Sequence, residues 1–366
     1  MKTIKITNDV FFLIFLYLNV FCKGIGLDNN NNIYFILLIF GSICLLIKII
    51  SDKYTKKEVG KIAIFLLIGL FSFIFTKKVT LLITCICLSG MKNIMTDKIF
   101  KGMLNIRLLT FFSIILLSLL NIIDNLSIAM WRNGTLDVRY SLGFGHPNSL
   151  HLALFILISL YLYCKYEKIK FIEYIFLLAL NLFIYKYSGS RTGFILSILL
   201  IVLTLLSKNK KIKSILLKLP IPLLLSIVIF SFSTALLYNK IGLINKLNDI
   251  LNGRIAYSNY YLTHYGLSLF GKNILNDKNA LFDNGYIFLY IQYGIIGVLL
   301  ILYILLAVCK KIKRDNDIKK NVLVIVYVIY GFTESFTPNI FMNIILLFYS
   351  DILFKERSEL TYEKKC

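Results

Sequence analysis

Four of the chain's seven arginines, Arg132, Arg139, Arg191 and Arg254, lie in segments with little other basic charge, while lysine dominates the basic clusters elsewhere. A guanidinium is planar, stays protonated and grips phosphate through two parallel donors, so an arginine set apart among small or hydroxylated residues is a candidate anion site. Arg191 stands in YSGSRTGFIL, with hydroxyls from Ser188, Ser190 and Thr192 and with Gly189 and Gly193 allowing close backbone approach. Arg254 opens RIAYSNYYLTHY, where helical spacing puts Arg254, Tyr257, Tyr261 and Tyr265 on one face. That face suits phosphate held beside sugar rings stacked on aromatics, and equally an interfacial helix with a tyrosine belt. Arg132, next to Trp131, reads as an arginine snorkelling beside an interfacial anchor.

Carboxylates and histidines gather in the same segments. Asp283 and Asn284 in FDNGY hold N-cap-like positions, and Asp283 is also placed to accept a proton from a hydroxyl. Glu334 in GFTESFTPN precedes Pro338 at the end of an apolar run, where a carboxylate needs a partner such as one of the arginines. RYSLGFGHPNSLH contributes Arg139, His146, Asn148 and His151. Pro147 suits a first helical turn, which puts His146 near the N-cap and Asn148 and His151 on one face by i, i+3 spacing. With Arg139, these residues read as part of an outward-facing cavity. His151 either touches a substrate or holds a neighbouring helix.

The elements that must position these residues are membrane spans. The chain has 366 residues, is 58% hydrophobic and has a mean hydropathy of +0.77, with apolar runs recurring throughout. Runs near the ~20 residues that cross a bilayer point to an all-α polytopic membrane protein rather than a barrel. About twelve spans are expected, near 10–22, 33–50, 62–76, 79–92, 106–123, 148–164, 171–186, 192–207, 219–237, 285–308, 321–336 and 340–354. With both termini cytoplasmic, 29 of the 41 Lys and Arg fall on the inner side and every short basic loop agrees. The +22 net charge is then chiefly a topology signal, with anionic lipid a lesser partner, and nucleic-acid binding is not expected. The whole chain, 1–366, reads as a single integral membrane domain. Residues 124–147 and 238–284 form its two substantial extracytoplasmic loops, the second partly helical.

Other chemistries find no support. The seven cysteines sit mostly in apolar runs without a CxxC, and the three histidines lack metal-ligand spacing. The C-terminal YEKKC is not a prenylation motif, and the N-terminal apolar run lacks a small-residue cleavage site. No phosphate-loop or zinc-protease motif is present. Neither a metal nor another cofactor is expected.

The motifs RYSLGFGHPN (139–148), SGSRTG (188–193), NGR (252–254) with LFG (269–271), FDNGYIFLYIQYGIIG (282–297) and TESFTPNIFMN (333–343) occur in an order that resembles the bacterial O-antigen polymerase (Wzy-type) and ligase superfamily. The resemblance covers roughly 139–343. It implies a glycosyltransferase-C-like membrane fold in the bacterial cytoplasmic membrane and a glycan on undecaprenyl pyrophosphate as substrate. A chain-length regulator and a flippase are possible partners. It further implies that Arg191 and Arg254 hold the pyrophosphate. Asp283 falls where ligases of that superfamily carry histidine before Asn, a departure that favours polymerase over ligase. The carry-over makes Asp283, Arg191 and Arg254 the catalytic candidates. Arg139, His146, Asn148, His151, Asn284, Tyr257, Tyr261 and Glu334 are the substrate-binding candidates. A flippase for the same lipid-linked sugar would instead show broken helices, internal repeats and mid-membrane charge. A ligase-type transferase and a non-catalytic scaffold are the remaining readings.

Overall fold

A computed structural model describes residues 8–27, 31–132, 135–274 and 283–354, the side chains of 131, 132 and 135 excepted. Lys2, Lys5, Lys278 and the C-terminal tail with Cys366 lie outside the described residues. In chain order the elements are α1 (Asp9–Gly24), α2 (Asn32–Ser51), α3 (Lys56–Thr76), α4 (Thr80–Ser89), α5 (Thr96–Leu119), β1 (Ser127–Arg132), β2 (Thr135–Tyr140), α6 (Pro147–Lys165), α7 (Phe171–Ser188), α8 (Arg191–Leu206), α9 (Lys210–Leu216), α10 (Pro220–Leu236), α11 (Gly242–Ile250), α12 (Arg254–Tyr265), α13 (Gly285–Asp315) and α14 (Ile318–Tyr330). A 3-10 turn (Ile344–Tyr349) and α15 (Ser350–Leu353) follow.

The protein is mostly helical, with long apolar helices compatible with a multi-pass membrane protein. Six helices, α2, α3, α5, α6, α7 and α13, are long and apolar enough to cross a bilayer. The α9–α10 pair, bent by 44°, makes a seventh if counted as one span. This is fewer than the twelve expected from hydropathy. The helix α4 has only 10 residues, α1 and α8 have 16 each, and α14 has 13. The last two expected spans, 321–336 and 340–354, lose their helical backbone between Gly331 and Asn343. The buried Phe336, Ile340 and Phe341 keep that irregular stretch packed inside protein, the condition under which such backbone is tolerated at membrane depth.

The segment 124–147, expected as a loop on the outer side, departs from the all-α expectation. It contains an antiparallel hairpin pairing Ser127 with Tyr140 through to Arg132 with Thr135. In the sequence TLDVRY of β2 alternates polar and apolar residues, and Asn133-Gly134 between the two strands is the strongest short-range hairpin signal.

The chain divides into two compact units, residues 1–52 with 94–210 and residues 53–93 with 211–366. In the first, α6 packs on α5, α7 and α8, and α1 on α2 and α5. The join of α6, α7 and α8 carries Arg139, Asn148 and Ser188 at one end. At the N-terminus of α1 and the C-terminus of α2, Lys48 pairs with Asp52 and with Asp9. In the second unit, α13 is the central element, touched by α3, α10, α12 and α14. One end of it carries Asp283 and Asn284, and the other carries Lys311 and Asp315, near which Lys320 pairs with Asp351. Within each unit the residues expected outside and those expected inside thus occupy opposite helix ends.

The helix α13 is not continuous. Gly294 has φ 69° and ψ −172°, and the chain 268–272 fills the break. Ile295 N–H donates to Ser268 O, Ile296 N–H to Leu269 O, and Lys272 N–H to Ile291 O. Gly271 (φ +90°) lies so close that a Cβ would meet Gln292 O at 2.1 Å, while Phe270 stacks on Phe75 with ring centroids 5.3 Å apart. The LFG motif is therefore a splint across a broken helix, and only glycine fits its third position.

Candidate functional site

Two polar clusters emerge, one in each unit. In the second unit the site starts from a tight turn. Asn252 (φ 53°) and Gly253 (φ 83°) are both left-handed, reversing the chain between α11 and α12 so that Arg254 is the first residue of α12. Asn248 locks this turn: its backbone O accepts Gly253 N–H, and its Oδ1 accepts Ala256 N–H at 2.9 Å. The NGR motif thus aims a single guanidinium from a fixed helix start.

Arg254 reaches two carboxylates. Its Nε lies 3.2 Å from Asp283 Oδ2, and its Nη2 lies 4.0 Å from Glu334 Oε1. Arg254 and Glu334 side chains are each 16% exposed, and Asp283 is 41% exposed. Asp283 therefore sits at the open side and Glu334 at the enclosed side. Asn284 is buried and spends its Oδ1 on capping α13, accepting from Tyr286 N–H at 3.0 Å and Ile287 N–H at 3.2 Å. Gly285 is a contact glycine, since a Cβ would meet Thr337 Oγ1 at 2.3 Å and Glu334 O at 2.4 Å. That contact holds the Glu334 segment against the start of α13.

A shallow open depression runs along Arg254, Tyr257, Ser258, Tyr261, Asp283, Asn284 and Ile287. Tyr257 is exposed at its edge, whereas Tyr261 is buried in the apolar core with Ala235 and Ile287. The expected tyrosine face therefore divides: Tyr257 is available to a ligand, and Tyr261 mainly anchors the helix. Such a groove can bind an anion at Arg254 and place a carboxylate beside it.

In the first unit, Arg139 is 4% exposed and crosses the glycine turn after α7. Its Nε donates to Ser188 O at 2.6 Å, and its Nη2 donates to Asn148 Oδ1. Gly189 (φ +54°) permits this, because a Cβ there would lie 3.1 Å from Arg139 Cγ. His146 caps α6, its Nδ1 accepting Asn148 N–H at 3.0 Å. His151 is fully buried, with Nδ1 2.9 Å from Ser188 Oγ and Nε2 2.9 Å from Asn181 Oδ1. Asn181 Nδ2 donates to Phe194 O, so its Oδ1 must accept. Nε2 of His151 accordingly carries a proton and donates to Asn181 Oδ1, while Nδ1 is engaged by the Ser188 hydroxyl. A Cβ on Gly193 would meet the His151 ring at 2.6 Å. Both ring nitrogens being occupied, His151 holds α6, α7 and α8 together and does not open toward a ligand.

Arg191 is the first residue of α8 and is exposed. It is not part of the Arg139–His151 network and belongs to a different unit from Arg254. Asn181 was not singled out from the sequence, although it lies seven residues before Ser188 and shares a helical face with it.

Compared with known proteins, the chain matches no family model, no curated protein and no solved structure. Among the described residues no cluster of three or more His, Cys, Asp or Glu could hold a metal ion.

Proposed function

We propose that the protein is a polysaccharide polymerase of a bacterial cytoplasmic membrane, acting at its outer face on glycans carried by undecaprenyl pyrophosphate. The observation that carries this reading is Arg254, fixed at a helix start between the exposed Asp283 and the enclosed Glu334, beside Tyr257. Three of the motifs on which the family resemblance rests, NGR, FDNGYIFLYIQYGIIG and TESFTPNIFMN, supply Arg254, Asp283 and Glu334. In this reading the full membrane topology has about twelve crossings, with the short helices and the irregular 331–343 stretch completing those beyond the long spans.

The chemistry is a glycosyl transfer. An acceptor sugar hydroxyl attacks the anomeric carbon of the donor, one glycosidic bond forms, and the bond to lipid pyrophosphate breaks. The leaving group departs as the pyrophosphate anion, whose charge Arg254 stabilises; Arg191 is the second arginine that the family resemblance assigns to pyrophosphate. Asp283, the more exposed carboxylate, takes the hydroxyl proton. Glu334 stays with Arg254 and fixes its direction. Arg139, His146, Asn148 and His151 position the ends of α6, α7 and α8, so that Arg191 is presented on a rigid helix start. The energy resides in the donor bond, and a chain-length regulator or flippase would act as an accessory.

A second reading draws on a specific observation. The helix break at Gly294 and the irregular 331–343 stretch are features of transporters with discontinuous helices, so a flippase for the same lipid-linked sugar is the alternative. A ligase-type transferase is disfavoured by Asp283 in place of histidine. Deleting the gene and resolving surface polysaccharide on gels separates these readings. A polymerase mutant keeps single repeat units and loses the ladder. A flippase mutant accumulates lipid-linked units inside the cell, and a ligase mutant leaves intact polymer on its lipid carrier.

A further inference from the structure

The hairpin of the first unit has two unlike faces. Ile128 and Arg139 form one cross-strand pair and Met130 and Asp137 another on the inner face, where Arg139 is buried against the ends of α6 and α7. On the opposite face Ala129 pairs with Val138 and Ser127 with Tyr140, and Leu136 follows along the same face of β2. Leu136 is 55% exposed, Val138 42% and Tyr140 39%. Asn125 Oδ1 accepts Leu142 N–H at 2.9 Å and clamps the base, so this face is held in one orientation.

We infer that this hairpin is a membrane-binding blade whose apolar face lies in the headgroup layer of the outer leaflet. Three constraints fix the occupant as lipid. First, Arg139 ties the hairpin to the last residue of α7 and the first turn of α6, the level at which two apolar spans end. Second, the exposed apolar surface of α5 at Leu116 and Leu119 is followed by exposed Leu120, Ile122 and Leu126, interspersed with exposed Asn121, Asp124 and Asn125, the mixed pattern of a chain running through the headgroup layer toward the hairpin. Third, a two-stranded ribbon has open edges whose backbone groups cannot be satisfied in hydrocarbon, while its apolar face is disfavoured in water. The interfacial layer satisfies both requirements, and it is where tyrosine and tryptophan concentrate. The blade would hold the α6–α7–α8 end at a set depth against the leaflet.

Trp131 is the chain's only tryptophan and lies in register opposite Leu136, so the native protein carries its own depth reporter. The experiment reconstitutes the full chain at one copy per nanodisc, with phosphatidylcholine brominated either near the carbonyls or near the chain ends. Expected are blue-shifted emission, strong quenching by shallow bromines, weaker quenching by deep ones and little quenching by aqueous iodide. The double variant Leu136→Asp/Val138→Asp should shift the emission red and lose lipid quenching, with helical circular dichroism unchanged. Free iodide quenching with no bromine quenching in the wild type would overturn the inference. So would undiminished bromine quenching in a double variant that retains its helical signal. The wild-type depth measurement decides the matter even where the double variant fails to fold.

Discussion

Removing the Arg254 guanidinium should destabilise the second unit mainly through Glu334, and removing both charges should restore most of the loss. The two ion pairs are unequal. At 4.0 Å, Arg254 and Glu334 attract with about 4 kcal/mol at an effective dielectric constant of ~20, an upper bound for a pair whose side chains are each 16% exposed. Solvent screening and desolvation leave a net coupling of roughly 1–2 kcal/mol. Asp283 is closer, at 3.2 Å, but 41% exposed, so its pair contributes below about 1 kcal/mol. Arg254→Ala should cost about 2–3 kcal/mol, because a largely enclosed carboxylate loses its cation. At about 2–4 °C per kcal/mol for a unit of this size, the melting temperature of purified protein falls by roughly 4–12 °C. Arg254→Ala/Glu334→Gln should recover at least half of that fall, and Asp283→Asn should move it by only a few degrees. Melting of the four proteins in one detergent, followed by circular dichroism, reads the cycle. A double variant no more stable than Arg254→Ala, or an Asp283→Asn loss as large as that of Arg254→Ala, would refute the assignment of Glu334 as the enclosed partner.

The glycine contacts and the exposed arginine give further predictions. Gly193→Ala pushes a methyl into the His151 ring at 2.6 Å and should cost about 1–3 kcal/mol, read as a lower melting temperature of the first unit. Gly271→Ala combines φ +90° with backbone contact at 2.1 Å; it should cost more than about 3 kcal/mol and greatly reduce the yield of folded protein. Arg191→Ala, exposed at the start of α8, should leave melting within about 0.5 kcal/mol of wild type, while complementation of a deletion strain yields only single repeat units.

Much of the local chemistry was legible because caps and turns are written in short motifs. Pro147 at the first helical position, His146 as N-cap and Asn284 as cap of α13 follow from residue type and place. That Glu334 meets an arginine follows from the cost of leaving a carboxylate alone in apolar surroundings, whereas that the arginine is Arg254 is a tertiary fact. Tertiary facts were less legible. Hydropathy registers apolar content and not backbone state, so the break at Gly294 and the irregular stretch after Gly331 both read as continuous spans. Tyr257 and Tyr261 share a helical face in sequence, and only packing against Ala235 and Ile287 separates an exposed ring from a core ring. His151 shows the same limit: spacing put it on a face with Asn148, while Ser188 and Asn181, far along the chain, decide that both its nitrogens are engaged.

The central claim is that this protein joins glycans and does not merely move them. Purified protein in liposomes, supplied with lipid-linked repeat units and no nucleotide, tests it directly. The account predicts a ladder of lengthening lipid-linked glycan with one undecaprenyl pyrophosphate released per bond, lost in Arg254→Gln. Repeat units that cross the bilayer at unchanged length, with no pyrophosphate lipid released, would contradict it.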